Sequence, residues 1–153
     1  MSVTMVSMRP VSGELRDGAH HLPVRVYYED TDAGGVLYHA GHIRFFERGR
    51  TEFLRAIGIN QSKLNAAATE DRILFVVRKM TIEYLKPALL DDLLDVVTEV
   101  YDIAGPRITL KQELRREGEA IATADVLVIS IGGNFRPVKL PQEMVDLMWS
   151  AGA

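Results

Sequence analysis

The spacing of apolar and polar positions divides the chain into a strand, a helical stretch and four further strands. Leu22 to Tyr28 alternates, with Val24 and Val26 on one face and Arg25 and Tyr27 on the other, which predicts a strand. Glu29 to Gly35 follows with turn chemistry, because aspartate and glycine favour bent backbone. From about His42 the period lengthens: Ile43, Phe46, Phe53, Leu54 and Ile57 recur at helical spacing. Arg44, Glu47, Arg48, Arg50, Glu52 and Arg55 largely fill the positions between, so the stretch reads as an amphipathic helix that Gly58 stops. Gly49 sits inside it at a cost of about 1 kcal/mol relative to alanine. Close approach of another backbone or a ligand accounts for that glycine, and so does tolerated drift. Asn60 to Ala68 reads as a short second helix with Asn60 as its cap.

From Arg72 the period changes to that of a sheet. Ile73 to Leu85 is long, β-branched and partly alternating, and Lys86-Pro87 closes it, because proline cannot donate to a ladder. Leu93 to Tyr101, Ile108 to Arg116 and Glu119 to Ile131 follow, separated by turns at Ala104-Gly105-Pro106 and Glu117-Gly118. Such short turns pair neighbours antiparallel. Gly132-Gly133 breaks the sheet, and Pro141 to Trp149 reads as a terminal helical turn or two. One strand, a long helix and four strands form an α+β pattern, in which an antiparallel five-stranded sheet covers its apolar face by wrapping one central helix. The outer face and edges of such a sheet call for a second copy.

Composition narrows the class. With 153 residues, 47% of them apolar and 25% charged, the chain suits one soluble globular domain. A formal charge of −3 and no basic stripe argue against nucleic acid as a partner. The absence of cysteine excludes disulfides, thiolate catalysis and thiolate zinc sites, and fits a reducing cytoplasm. Residues 1–21 carry Arg9, Glu14, Arg16 and Asp17 and read as a flexible amino-terminal tail ahead of a single domain over 22–153. No apolar run approaches the roughly 20 residues of a membrane span.

The candidate chemistry crowds between positions 30 and 42, where Asp30, Asp32, Tyr38, His39 and His42 surround Gly34-Gly35. Either aspartate can be an ordinary turn or cap residue. Either can instead act as nucleophile or general base near a helix amino end, where free N–H groups favour a carboxylate and a developing oxyanion. Gly34 and Gly35 admit a substrate close to the backbone, and are also common turn residues. His39, with Tyr38 beside it, is open to two readings: a histidine bonded to a carbonyl, or a group that holds a leaving thiol, orients water or donates to a substrate carbonyl. Asp30-x-Asp32-x-Gly34 resembles the start of a calcium loop, but the twelfth position is Gly41 rather than glutamate. His39-x-x-His42 with Asp32 offers three zinc ligands but lacks the zincin glutamate, so no metal is assigned. Gly-x-Ser-x-Gly, Gly-x-Gly-x-x-Gly and P-loop motifs are missing, so no cofactor is assigned either. Arg78-Lys79 interrupts an apolar strand, as a sheet edge does or as a contact for phosphates does.

Val24-Arg-Val-Tyr-Tyr-Glu-Asp-Thr-Asp-Ala-Gly-Gly-Val-Leu-Tyr-His-Ala40 and Phe46-Glu-Arg-Gly-Arg-Thr-Glu-Phe-Leu54 resemble the hotdog-fold acyl-CoA thioesterases of the 4-hydroxybenzoyl-CoA thioesterase group. The match is best to the Tol–Pal-associated branch, often called YbgC. Phe75 to Tyr84, Pro87 and Leu90-Asp91-Asp92 are similar to that branch as well, so the resemblance runs from about Pro23 to Val128. It implies a hotdog fold paired into a homodimer or homotetramer, with acyl-CoA at the subunit boundary. It also implies hydrolysis of a short-chain or aromatic acyl-CoA to free acid and CoA. By this resemblance Asp32 takes the catalytic position, and His39 stands where the branch carries its histidine. Gly34, Gly35, Tyr38 and His42 then surround the substrate, and Arg78 and Lys79 become candidates for the CoA phosphates. Where the family usually has a small polar residue and tyrosine, this chain has Gly41-His42. Gly49 replaces a frequent alanine, which reads as a minor change. The alternative is a non-catalytic module that binds acyl-CoA or acyl carrier protein in membrane lipid metabolism. The hotdog dehydratases would need a His-Phe-Pro-Gly type stretch, which is missing here.

Overall fold

The computed structural model describes residues 12–152, without the Thr69 side chain. Its strands are β1 (Glu14–Arg16), β2 (Ala19–Arg25), β3 (Ile73–Tyr84), β4 (Leu93–Ala104), β5 (Arg107–Arg116) and β6 (Glu119–Gly132). The helices are α1 (His39–Ala56), α2 (Gln61–Ala66) and α3 (Gln142–Ser150). All strands pair antiparallel in one sheet of order β1-β2-β4-β5-β6-β3. The architecture is the expected sheet wrapped on a helix, with six strands rather than five. The extra strand comes from residues read as tail: Glu14, Leu15 and Arg16 pair with His21, His20 and Ala19 across a turn at Asp17-Gly18. Its own residues are all exposed, so no apolar alternation advertises it. Residues 1–11 lie outside the described residues. Among those described, no helix is long and apolar enough to cross a membrane.

The sheet is two-faced because strand side chains alternate. On β5, Ile108, Leu110, Gln112 and Leu114 point to the helix and are buried. Phe45, Phe46 and Phe53 of α1 meet them, together with Val24, Val26, Leu94, Val96, Ile121 and Val126. Burying each phenylalanine contributes about 1.5–3 kcal/mol. The helix face differs from the expected one at a single step: Ile43 is exposed and Phe45 takes the buried place. The helix also starts three residues before His42, at His39, which carries the polar cluster onto its first turn.

Gly49 turns out to be required. A Cβ built on it would stand 2.5 Å from Val96 Cγ1, 3.1 Å from Gln112 Nε2 and 3.1 Å from Thr98 Oγ1. The helix therefore crosses the sheet at near-backbone contact, and replacing alanine by glycine here is not a minor change. Gln112 secures the crossing, donating from Nε2 to the Phe46 carbonyl at 2.9 Å and to Thr98 Oγ1 at 2.9 Å. Its Oε1 accepts from Arg50 Nη1 at 3.1 Å, so the buried amide is satisfied on both sides.

Candidate active site

The loop from the end of β2 to the start of α1 is built by its own backbone. Residues Tyr28–Asp30 form one turn of 3₁₀ helix. A small antiparallel bridge then joins Thr31 to Leu37, and the Asp32 N–H donates to the Val36 carbonyl at 2.9 Å. The connection between β3 and β4 clamps this hairpin from outside. The Leu37 N–H donates to the Ala88 carbonyl at 2.8 Å, and Leu90 N–H to the Gly35 carbonyl at 3.2 Å. Asp92 stiffens the clamp, its Oδ2 accepting from Leu89 N–H at 2.8 Å and from Arg116 Nη1 at 2.7 Å. The Pro87 and Leu90-Asp91-Asp92 stretch thus acts on the site by holding its loop.

Two aspartates at neighbouring positions have opposite surroundings. Asp30 is buried, 5% exposed, and its Oδ2 accepts from the Tyr27 N–H at 2.8 Å, while its carbonyl accepts from Tyr38 N–H at 2.9 Å. That is the work of a structural carboxylate. Asp32 is exposed. Its Oδ1 accepts from the N–H groups of Gly34 at 2.8 Å and Val36 at 3.4 Å, which fixes the carboxylate plane without using Oδ2. Gly34 lies under this carboxylate, where a Cβ would meet Oδ1 at 3.2 Å. Gly35 has φ +77° and open space in front of it, so it serves the turn and leaves room for a ligand.

Helix α1 then opens without a side-chain cap. Tyr38 occupies the cap position and its side chain bonds nothing there, and the first turn holds no acidic residue. Tyr38 N–H donates to the Asp30 carbonyl and Gly41 N–H to the Tyr38 carbonyl, so the His39 and Ala40 N–H groups of this 18-residue helix are the ones left to an outside acceptor, with the helix dipole behind them. His39 is exposed at the first helical position, and no hydrogen bond or ion pair holds its ring among the described residues. His42 is buried, 4% exposed, with Nδ1 3.2 Å from the Tyr38 carbonyl. Burial holds its pKa below the ordinary histidine value, the charge of His39 adds to that, and the carbonyls of Tyr38 and His39 oppose it. Both imidazoles meet Tyr84, a residue that sequence reasoning did not place in the site. The Tyr84 ring stands 5.1 Å from the His39 ring and 4.7 Å from the His42 ring, nearly perpendicular to each. Among the described residues no group of three or more metal-binding side chains comes together.

Not every predicted residue gathers here. Asp32, Gly34, Gly35, Tyr38, His39 and His42 all lie along one short loop and the helix start. Arg78 and Lys79 are exposed on β3, at a register shift where Val77 pairs with Val128 and Lys79 with Leu127. β3 is an outer strand of the sheet, so the basic pair lies on an edge. At about 3.3 Å per residue, Lys79 is roughly 17 Å along the strand from Tyr84. A separate apolar cavity of about 270 Å³ lies between the carboxyl half of α1 and the sheet, lined by Phe53, Leu54, Phe75, Val77, Leu110 and Val128 among others.

Comparison with known proteins gives the family. The family model described as the thioesterase-like superfamily matches residues 26–147. The chain is 45% identical over 129 residues to the acyl-CoA thioesterase YbgC of Haemophilus influenzae, covering 84% of this chain and 93% of that one. It is 46% identical over 125 residues to the acyl-CoA thioester hydrolase YbgC of Escherichia coli O157:H7, covering 80% and 90%. Among solved structures, a probable thioesterase from Bartonella henselae matches with a TM-score of 0.77 and 38% identity, covering 80% of this chain and 99% of that one. On its fold, the family model and these relatives, the chain belongs to the thioesterase-like superfamily, in the YbgC branch.

Proposed function

We infer that the protein hydrolyses acyl-CoA thioesters, releasing a free acid and CoA. The observation that carries this reading is the Asp32 carboxylate, fixed through Oδ1 by turn amides beside an uncapped helix amino end. A substrate carbonyl placed between them would meet a base or nucleophile on one side and N–H donors on the other. Asp32 either takes a proton from the attacking water or adds to the carbonyl itself, forming an anhydride that water then opens. In both routes the His39 and Ala40 N–H groups would hold the oxyanion, and the thiolate of CoA departs without needing a strong acid. His39 serves as an auxiliary group that orients water or meets the leaving sulfur.

Asp32 is exposed in a single chain, so a second copy would have to complete and shelter the site. This supports a homodimer, or a homotetramer built from two. The basic pair Arg78 and Lys79 is too distant for the reacting carbon, and its place is at the nucleotide end of the long CoA molecule. The substrates this reading expects are short-chain or aromatic acyl groups, carried on CoA or on acyl carrier protein, in the cytoplasm. The test is a panel of acyl-CoAs with a thiol-trapping dye. Thiol release is expected, and Asp32→Asn should keep the fold and lower kcat by about 10²–10⁴-fold. Tight acyl-CoA binding without released thiol would instead make the protein a binding module. Incorporation of ¹⁸O from water into Asp32 during a single turnover separates the anhydride route from the general-base route.

A further inference from the structure

We propose that Tyr84 is a positioning residue that holds the His39 imidazole in its working orientation; the inference rests on the hydrolase reading above. His39 is an exposed side chain on the first turn of a helix and has no hydrogen bond to fix its ring among the described residues. Left alone, such a side chain samples several rotamers. What it does have is aromatic neighbours. Tyr84 stands 5.1 Å away at 89°, and Tyr38 stands 6.0 Å away at 71° on the preceding residue. Both fall within the edge-to-face range of about 4.5–7 Å.

Tyr84 is itself anchored. Its ring packs at 4.7 Å and 90° on His42, whose imidazole is buried and tied to the Tyr38 carbonyl. A fixed imidazole therefore holds a tyrosine, and the tyrosine holds a free imidazole. The anchor reaches across elements: Tyr84 ends the edge strand β3, and both histidines open α1. Tyr84 is also half-exposed, so its ring spans from the buried His42 to the exposed His39. His42 is thereby assigned a supporting role beneath the reacting groups. An ordinary packing role predicts something different, since a tyrosine that only glues sheet to helix would affect stability and leave His39 unchanged.

Four variants and two readouts separate these. Tyr84→Leu removes the aromatic ring at similar bulk, and Tyr84→Phe keeps the ring without its hydroxyl. For Tyr84→Leu we expect kcat to fall about 5–30-fold with KM changed much less, because misplacement of a reacting group acts on the chemical step. Tyr84→Phe should recover most of that loss. In a His39→Ala background, Tyr84→Leu should cause little further loss, since a positioning residue has nothing left to position. The second readout is the His39 ring resonance in ¹H–¹³C NMR, which should shift and broaden in Tyr84→Leu and stay near its native position in Tyr84→Phe. Full additivity of the two substitutions, or an unmoved His39 resonance, overturns the proposal. If the unaltered protein releases no thiol, the hydrolase reading fails by itself, and the NMR experiment still decides whether Tyr84 holds His39.

Discussion

The middle of α1 and its amino end are parts of one helix with opposite physical characters. At Gly49 the helix lies against Val96, Thr98 and Gln112, and each buried polar atom of Gln112 has a partner. Ten residues earlier the helix opens uncapped beside exposed Asp32 and His39. The first region gains from being closed: each hydrogen bond is made and each apolar contact is dry. The second keeps donors and a carboxylate oxygen that, among the described residues, face water rather than a protein partner, so a ligand can take them up by displacing solvent. The crossing at Gly49 fixes where the helix lies, and so where its unfinished end presents its N–H groups.

The strongest way to break the closed region is to refill it. Gly49→Ala places a Cβ 2.5 Å from Val96 Cγ1, and Val96 is fully buried. Overpacking of this kind costs about 1–3 kcal/mol, and the better helix propensity of alanine returns about 1 kcal/mol. The clash wins because the valine has no free space to enter. A net loss of up to about 2 kcal/mol is expected by urea denaturation, with kcat per folded molecule nearly unchanged. A stability equal to or above that of the native protein would mean that the helix can lift off the sheet.

The contrast between regions also explains what the sequence made legible. Strands β3 to β6 and helix α2 follow from alternation, turns and the Asn60 cap, whose Oδ1 accepts from Ser62 N–H at 3.0 Å and Lys63 N–H at 3.4 Å. Local rules suffice where the interaction itself is local. Gly49 was marked by its helical cost, but the partner that explains it, Val96, is dozens of positions away. The Asp32 loop was legible because its unusual residues are consecutive. Asp30 and Asp32 were not separable by chemistry alone, since their difference in burial arises from Tyr27 and from the clamp at Ala88 to Asp92. Tyr84 left no local signal: at the end of a strand it looks like any β-former, and only the fold brings it to His39 and His42. His20 and His21 were assigned to a tail because strand β1, which pairs with them, has no apolar pattern.

A smaller effect should sharpen the comparison from the open end. Tyr38 has φ −69° and ψ 149°, a backbone suited to a capping serine. Tyr38→Ser lets a hydroxyl accept from the first-turn N–H groups and should raise stability by about 1 kcal/mol. The same hydroxyl competes with the substrate oxyanion, so kcat should fall, by at most the ~10²-fold that loss of a full donor costs. Gain in Tm together with loss of turnover is the expected pair. If both improve, the helix amino end is not where the oxyanion forms.

The smallest effect is on pH dependence, and it links the two ends of the helix. Burial lowers the pKa of His20, His21 and His42 from the ordinary histidine value of 6.5. His20 is packed on Phe53 in the carboxyl half of α1, and the Ser12 carbonyl and Glu52 oppose its shift. At His21 the charge of Arg16 adds to burial. In each case the unfolded chain binds a proton before the folded one does. Above pH 6.5 both states are mainly neutral and nothing is lost. As pH falls from 6.5 toward the lower folded values, protons stabilise the unfolded chain and folding stability declines. Each histidine contributes less than one proton, hence under about 1.4 kcal/mol per pH unit. Denaturation at pH 7.5, 6.5 and 5.5 should show this decline, with a shallower slope in His20→Asn and, separately, in His42→Asn. Because His42 lies beneath the ring that holds His39, only the His42 substitution should also change the pH profile of kcat. An equal change from His20→Asn would mean that the two ends of the helix titrate as one unit, and the division between closed and open regions would not hold.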